Sequence, residues 1–134
     1  MTGEPRKEPA YLRRLRATRS DELFMQMMQR VVMEKKYLDP DYSAAQLAAD
    51  LSTNTRYISA VVALHTGQNF SQFINSYRLR EACRKLRSPR YADYTVEEVG
   101  LSCGFASRQA FYLAFRKVYD VTPQQYRQQG TADP

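Results

Sequence analysis

Part of this sequence is written twice in degenerate form. Shifted by 52 positions, Ser43 falls on Thr95, Leu47 on Val99 and Ala48 on Gly100. After one extra residue in the second copy's turn the shift becomes 53. It then lays Ile58 on Phe111, Val62 on Phe115, Gly67 on Asp120 and Phe73 on Tyr126. Capping residues fall on capping residues and apolar residues on apolar ones. A single match of this kind is cheap, but an ordered series is not. The repeated unit reads as a cap, a short helix, a tight turn, a second helix, a turn and a third helix. A short helix joined to a second by a turn of three or four residues is the helix-turn-helix arrangement. Two copies at this spacing also exclude a tetratricopeptide-like solenoid, which needs more copies at a period of about 34 residues.

The helices themselves come from apolar spacing of three and four and from cap signals. Ser20 reads as an N-cap for a helix over 21–36, with Phe24, Met27, Met28, Val31 and Val32 on one face. Ser43 to Gln46 opens a short helix through Leu47, Ala48 and Leu51, and Ser52-Thr53-Asn54 turns into a helix with Tyr57, Ile58, Val61 and Val62. Asn69 to Gln72 opens a long helix through Phe73, Ile74, Tyr77, Leu79, Ala82, Cys83 and Leu86. Thr95 to Glu98 is a capping box, in which threonine bonds the third helical amide and the glutamate reaches back. A helix from about Ser107 to Tyr119 and a last one opened by Thr122-Pro123 complete the list. No stretch alternates in the manner of a strand. The expectation is an all-α chain of about seven helices: two helix-turn-helix lobes joined by a long central helix. Its divisions are a flexible basic arm over 1–19, a first lobe over 20–68, the connecting helix over 69–88, a second lobe over 89–129 and a tail over 130–134.

Composition narrows the chemistry. The chain has one histidine, His65, and two cysteines, Cys83 and Cys103, with no CxxC pair. A zinc site, a disulfide framework and a Ser-His-Asp triad are therefore poorly supported, and no cofactor or metal is implied. Cys103 reads as a small core residue and His65 as a helix-end residue. No apolar run approaches the roughly 20 residues that span a bilayer. The net charge of +6 is distributed unevenly: +4 over 1–19, −2 over 20–60, +5 over 61–90 and −1 over 91–134. A polyanion partner fits such a field. Arg78, Arg80, Arg84, Lys85 and Arg87 on the central helix could supply potential between the lobes, or could lay their stems over the core; the sequence alone allows both.

Several of these residues together resemble the DNA-binding domain of the AraC/XylS family of bacterial transcription regulators. The resemblance is carried in the second half by Thr95-Val-Glu-Glu-Val-Gly100, Cys103-Gly-Phe105, Phe111, Phe115-Arg-Lys117 and Thr122-Pro-Gln-Gln-Tyr-Arg127. In the first half Leu47-Ala48, Tyr57-Ile-Ser59, Gly67, Phe70, Phe73-Ile74 and Tyr77-Arg-Leu-Arg-Glu-Ala82 add to it, so it runs from about residue 22 to 128. It implies two recognition helices entering successive major-groove segments on one face of double-stranded promoter DNA. A central helix of about 18 residues, roughly 27 Å long, could hold them near one DNA turn, about 34 Å, apart.

On this reading the base-contact candidates are Arg56, Ser59 and Ala60 in the first lobe and Arg108, Gln109 and Tyr112 in the second. Arginine can pair with guanine and glutamine with adenine through two hydrogen bonds. Asn54, Thr55, Ser107, Arg116 and Lys117 are the phosphate-contact candidates, positioning the protein without reading sequence. Ala60 and Leu113 stand where many relatives carry arginine, which points to apolar contact with thymine methyls. The implied protein is a non-enzymatic, cytoplasmic, nucleoid-associated regulator, with RNA polymerase as a candidate partner. The chain has no room for an inducer pocket, so a small-molecule effector is not expected to bind it. It is either a stand-alone regulator or the C-terminal output domain of a longer sensor. The rival reading is a helical protein-interaction domain using the Met-rich first helix.

Overall fold

A computed structural model describes residues 8–131. Among them lie seven α-helices and no strand: α1 (Ala10–Met28), α2 (Ala44–Asp50), α3 (Thr55–Thr66), α4 (Phe70–Arg87), α5 (Val96–Ser102), α6 (Arg108–Tyr119) and α7 (Pro123–Thr131). A π-helical turn, Gln29–Met33, ends α1, and 3₁₀ turns occur at Lys36–Leu38 and Pro89–Tyr91.

Every position paired by the repeat has its counterpart in space. Leu47 and Val99, Ile58 and Phe111, and Val62 and Phe115 are all fully buried. Gly67 (φ 71°) and Asp120 (φ 60°) end α3 and α6 in the same left-handed conformation. Ser52 (φ 55°) and Gly104 (φ 102°) do the same in the two helix-turn-helix turns. Asn54 and Ser107 cap the second helix of each unit, accepting from Tyr57 N at 2.8 Å and Ala110 N at 3.1 Å.

There are two hydrophobic cores. The first gathers Leu23, Met27 and Val31 with Leu47, Ile58, Val62, Phe73 and Ile74. The second gathers Leu79, Ala82 and Leu86 with Val99, Cys103, Phe105, Phe111 and Phe115. Helix α4 therefore serves both: its first half turns Phe73, Ile74 and Tyr77 to one core, and its second half turns Leu79, Ala82 and Leu86 to the other. At 3.6 residues per turn those two sets lie on roughly opposite faces. Cys103 is a core residue, and burial pushes its thiol up to about 11.

Arg78 sits where α4 changes core. It is buried, and it is satisfied: Nε donates to Tyr37 O (2.7 Å), Nη2 to Asp39 O (2.9 Å) and Nη1 to Asn75 Oδ1 (3.2 Å). Gly104, in the second lobe's turn, packs on the same spot. A Cβ there would lie 2.8 Å from Arg78 Nε and closer still to the carbonyl oxygen of Tyr37. The turn of one lobe is thus pressed against the α1–α2 connection of the other, with the α4 guanidinium between them.

The structure differs from the sequence reading at the N-terminal arm, at two caps and at the expected tail, of which residues 130–131 belong to α7 and 132–134 lie outside the described part. The expected arm reaches only to Pro9 among the described residues, and the chain is helical from Ala10; residues 1–7 lie outside the described part. All the prolines and the glycine of that stretch precede Ala10, leaving the good helix formers that follow unbroken. Ser20 is consequently not an N-cap. It is buried inside α1, with its Oγ 3.0 Å from His65 Nε2. Lastly, the Thr95 cap is half of the expected box: Glu98 N donates to Thr95 Oγ1 (3.1 Å), but the Glu98 carboxylate accepts from the threonine hydroxyl (3.2 Å). The complete reciprocal boxes are Asn69 with Gln72 and Thr122 with Gln125.

Candidate nucleic-acid interface

Helices α3 and α6 each bury one face and leave the other open. In α3, Ile58, Val61 and Val62 are buried while Arg56, Ser59, Ala60 and Ala63 are exposed. In α6, Phe111 and Phe115 anchor the helix through contacts with Phe105, Tyr119 and Tyr126. Its open face carries Gln109, Leu113, Arg116 and Lys117. Leu113 is 66% exposed although apolar, at the middle of that face. An exposed leucine flanked by Gln109, Arg116 and Lys117 suits a surface that meets both methyl groups and anions.

Arg108 and Tyr112 occupy the flank of α6 that faces α5. Arg108 Nε lies 3.2 Å from Glu97 Oε1, and Tyr112 donates its hydroxyl to the same oxygen at 3.3 Å. The Arg108 guanidinium lies 5.1 Å from the Tyr112 ring centre. A hydrogen bond to the Glu97 backbone, then the charge of Arg108 and the hydroxyls of Tyr112 and Thr95, outweigh desolvation and hold the Glu97 carboxyl below its ordinary range. It is therefore ionised at neutral pH. Arg108 nonetheless stays exposed, its guanidinium charge open to a base edge or a phosphate. Sequence reading did not find Glu97, whose partner lies eleven positions away across a turn.

Asn54, Thr55 and Ser107 stand at the N-terminal ends of α3 and α6, all exposed. Asn54 and Ser107 use one acceptor each as caps. The amide hydrogens of Asn54 and the hydroxyl hydrogen of Ser107 remain to donate, and the positive end of a helix dipole favours an anion at the same place.

The five cations of the central helix divide, with Arg78 and Lys85 buried and Arg80, Arg84 and Arg87 exposed. Arg78 is buried in the junction. Lys85 is buried too, donating to Ser102 Oγ at 3.1 Å and lying over the Tyr91 ring. Arg84 pairs with Glu81, Arg80 lies over Tyr77 and Arg87 over Tyr126. The Met-rich first helix is likewise divided: Met27 is core and Met28 packs against it, while Met25 and Met33 are exposed. No helix among the described residues is long and apolar enough to cross a membrane.

A family model described as a helix-turn-helix domain matches residues 47–129. Among curated proteins, the regulatory protein PocR of Salmonella typhimurium is 29% identical over 93 residues, covering 69% of this chain and 30% of that protein. The transcriptional regulatory protein YesN of Bacillus subtilis is 31% identical over 97 residues, covering 70% and 26%. The chain thus spans less than a third of the curated relatives it matches here. Among solved structures, the DNA-binding domain of the global transcriptional factor AdpA, in complex with a target DNA, aligns with a TM-score of 0.66 and 26% identity. That alignment covers 84% of this chain and 93% of that one.

Proposed function

The chain belongs to the helix-turn-helix family of AraC/XylS type, and from that premise we propose that it binds double-stranded promoter DNA sequence-specifically as a transcription regulator. In this reading α3 and α6 enter successive major-groove segments. The observation that carries it is the doubled unit, in which two capped helices with buried apolar backs present open polar faces from lobes locked to one another. The relatives' names support regulation, and the AdpA domain's bound DNA supports the ligand. The activity is binding rather than catalysis, and its place is the bacterial cytoplasm, where the DNA is. The share of the relatives covered supports its reading as the C-terminal output domain of a longer sensor-regulator.

We assign base contacts to Arg108, Gln109 and Tyr112 on α6 and to Arg56, Ser59 and Ala60 on α3, with Leu113 as an apolar partner for thymine methyls. Arg116 and Lys117 bind phosphates from the last turns of α6, and Asn54, Thr55 and Ser107 do so from the helix starts. Glu97 acts as a positioning residue for Arg108.

Selection of bound duplexes from a random pool, followed by anisotropy titration, tests the assignment. Arg108→Ala should relax preference at one base position by about 1–3 kcal/mol, the discrimination of one bidentate contact. Lys117→Ala should weaken all sequences alike and lower the salt slope by about one. Absence of binding to any duplex at 50 mM salt would overturn the reading.

A further inference from the structure

The two lobes repeat each other closely in their cores but not in their charge. The repeat lays Ala63 on Arg116 and Leu64 on Lys117, so the last turns of α3 lack the cations that α6 carries there. His65 does not replace them: it is stacked on Phe24 with its ring centre 4.5 Å away, beside Ser20 and Asp21. Leu64, left 72% exposed, lines a cleft of about 480 Å³ between α3 and the N-terminal part of α1. The opposite wall of that cleft carries Arg13 and Arg16. These are the residues the sequence reading placed in an unstructured arm. As part of a helix they stand at fixed positions beside the place where the second lobe has Lys117.

We propose that the N-terminal part of α1 is a second DNA-binding element of the first lobe. Through Arg13 and Arg16 it would bind the phosphate backbone along the wall of the groove that α3 enters. This rests on the reading of α3 as a recognition helix. The geometry follows from widths. A B-DNA major groove is about 12 Å wide and admits one helix, while a neighbouring helix has its axis at least 8–10 Å away. With α3 in the groove, α1 has no room beside it and lies against the wall, where the phosphates are. Residues 10–19 are all exposed, and Arg13 makes no ion pair among the described residues. Arg16 pairs with Glu8, a contact that a phosphate can replace. The cation missing from the recognition helix is supplied by the helix alongside it.

The test is the salt dependence of binding, from 50 to 200 mM, of the whole chain and of the double variant Arg13→Gln/Arg16→Gln. Each phosphate contact contributes about 0.9 to the slope of log K against log salt. The variant should lose between about one and two units of slope and bind roughly tenfold or more weakly at low salt. The loss should be the same on selected and unrelated duplexes. Ethylation of the one or two phosphates that Arg13 and Arg16 reach should cease to interfere with the variant's binding, while interference at the phosphates met by Asn54 and Thr55 and at the second half-site persists. Should the Gln variant be less well folded by circular dichroism, Arg13→Lys/Arg16→Lys keeps the charge and should keep the slope. A slope equal to that of the unaltered chain overturns the proposal, and so does tighter binding by the Gln variant, since α1 would then obstruct the groove. If the unaltered chain itself shows no salt-dependent DNA binding, the recognition reading fails instead.

Discussion

Gly100 and Phe111 are fitted to each other. A Cβ at Gly100 would lie within 2.9 Å of three atoms of the Phe111 ring, closer than van der Waals contact allows. The first lobe solves the same crossing with Ala48 against Ile58, both buried; a larger side chain on one helix is matched by a smaller one on the other. Gly100→Ala should therefore destabilise the protein by about 1–3 kcal/mol through overpacking, although alanine is the better helix former by about 1 kcal/mol. Adding Phe111→Ile, which copies the first lobe, should recover part of the loss; urea midpoints of the single and double variants check both. The sequence showed that these positions correspond but not why one is glycine. At the same scale it singled out Arg108 and missed Glu97, because a polar residue on a short helix carries no mark of what lies across the turn.

Helix boundaries were legible where a cap residue also opens an apolar period. Ser43, Asn69, Thr95 and Thr122 all precede their helices as read, whereas Ser107, read as the start of its helix, is its cap. Ser20 broke the pattern because a serine that can cap can equally sit inside a helix, and here His65 gives its hydroxyl a partner from α3. The long α4 depends on its first turn, where Asn69 Oδ1 accepts from Gln72 N at 2.8 Å and Gln72 Oε1 accepts from Asn69 N at 3.0 Å. Asn69→Ala should cost about 1 kcal/mol, read as a lower urea midpoint with unchanged slope. Because α4 belongs to both cores, one cooperative transition should remain. The charges on α4 were counted from sequence, which left open whether each lies over the core or in solvent. Arginine and lysine have long apolar stems that can run along a core to reach a carbonyl or a ring, and which of them do so depends on neighbours from other helices.

At the scale of the whole molecule, the lobes are held by the meeting of Gly104, Tyr37 and Arg78 rather than by α4 alone. Gly104→Ala would place a methyl against the Tyr37 carbonyl and strain a backbone at φ 102°. The expected result is a loss of 2 kcal/mol or more, beyond an ordinary surface substitution. The lobes, freed from a fixed spacing, should also tolerate a one-base-pair insertion between half-sites that the unaltered chain rejects; comparative titration on the two duplexes measures it. None of this junction could be read from the chain, since Tyr37 and Gly104 are far apart in sequence and Tyr37 lies outside the repeat altogether. The sequence by itself determined the helical class, the doubled unit, the caps and the buried face of each reading helix, because those follow from local spacing and from which side chains leave water. Tertiary structure alone decided that residues 10–19 stand as a helix beside α3, that Arg78 and Lys85 of α4 turn inward while Arg80, Arg84 and Arg87 stay exposed, and how the two lobes are held together. Each of these depends on contacts between segments that no local period records.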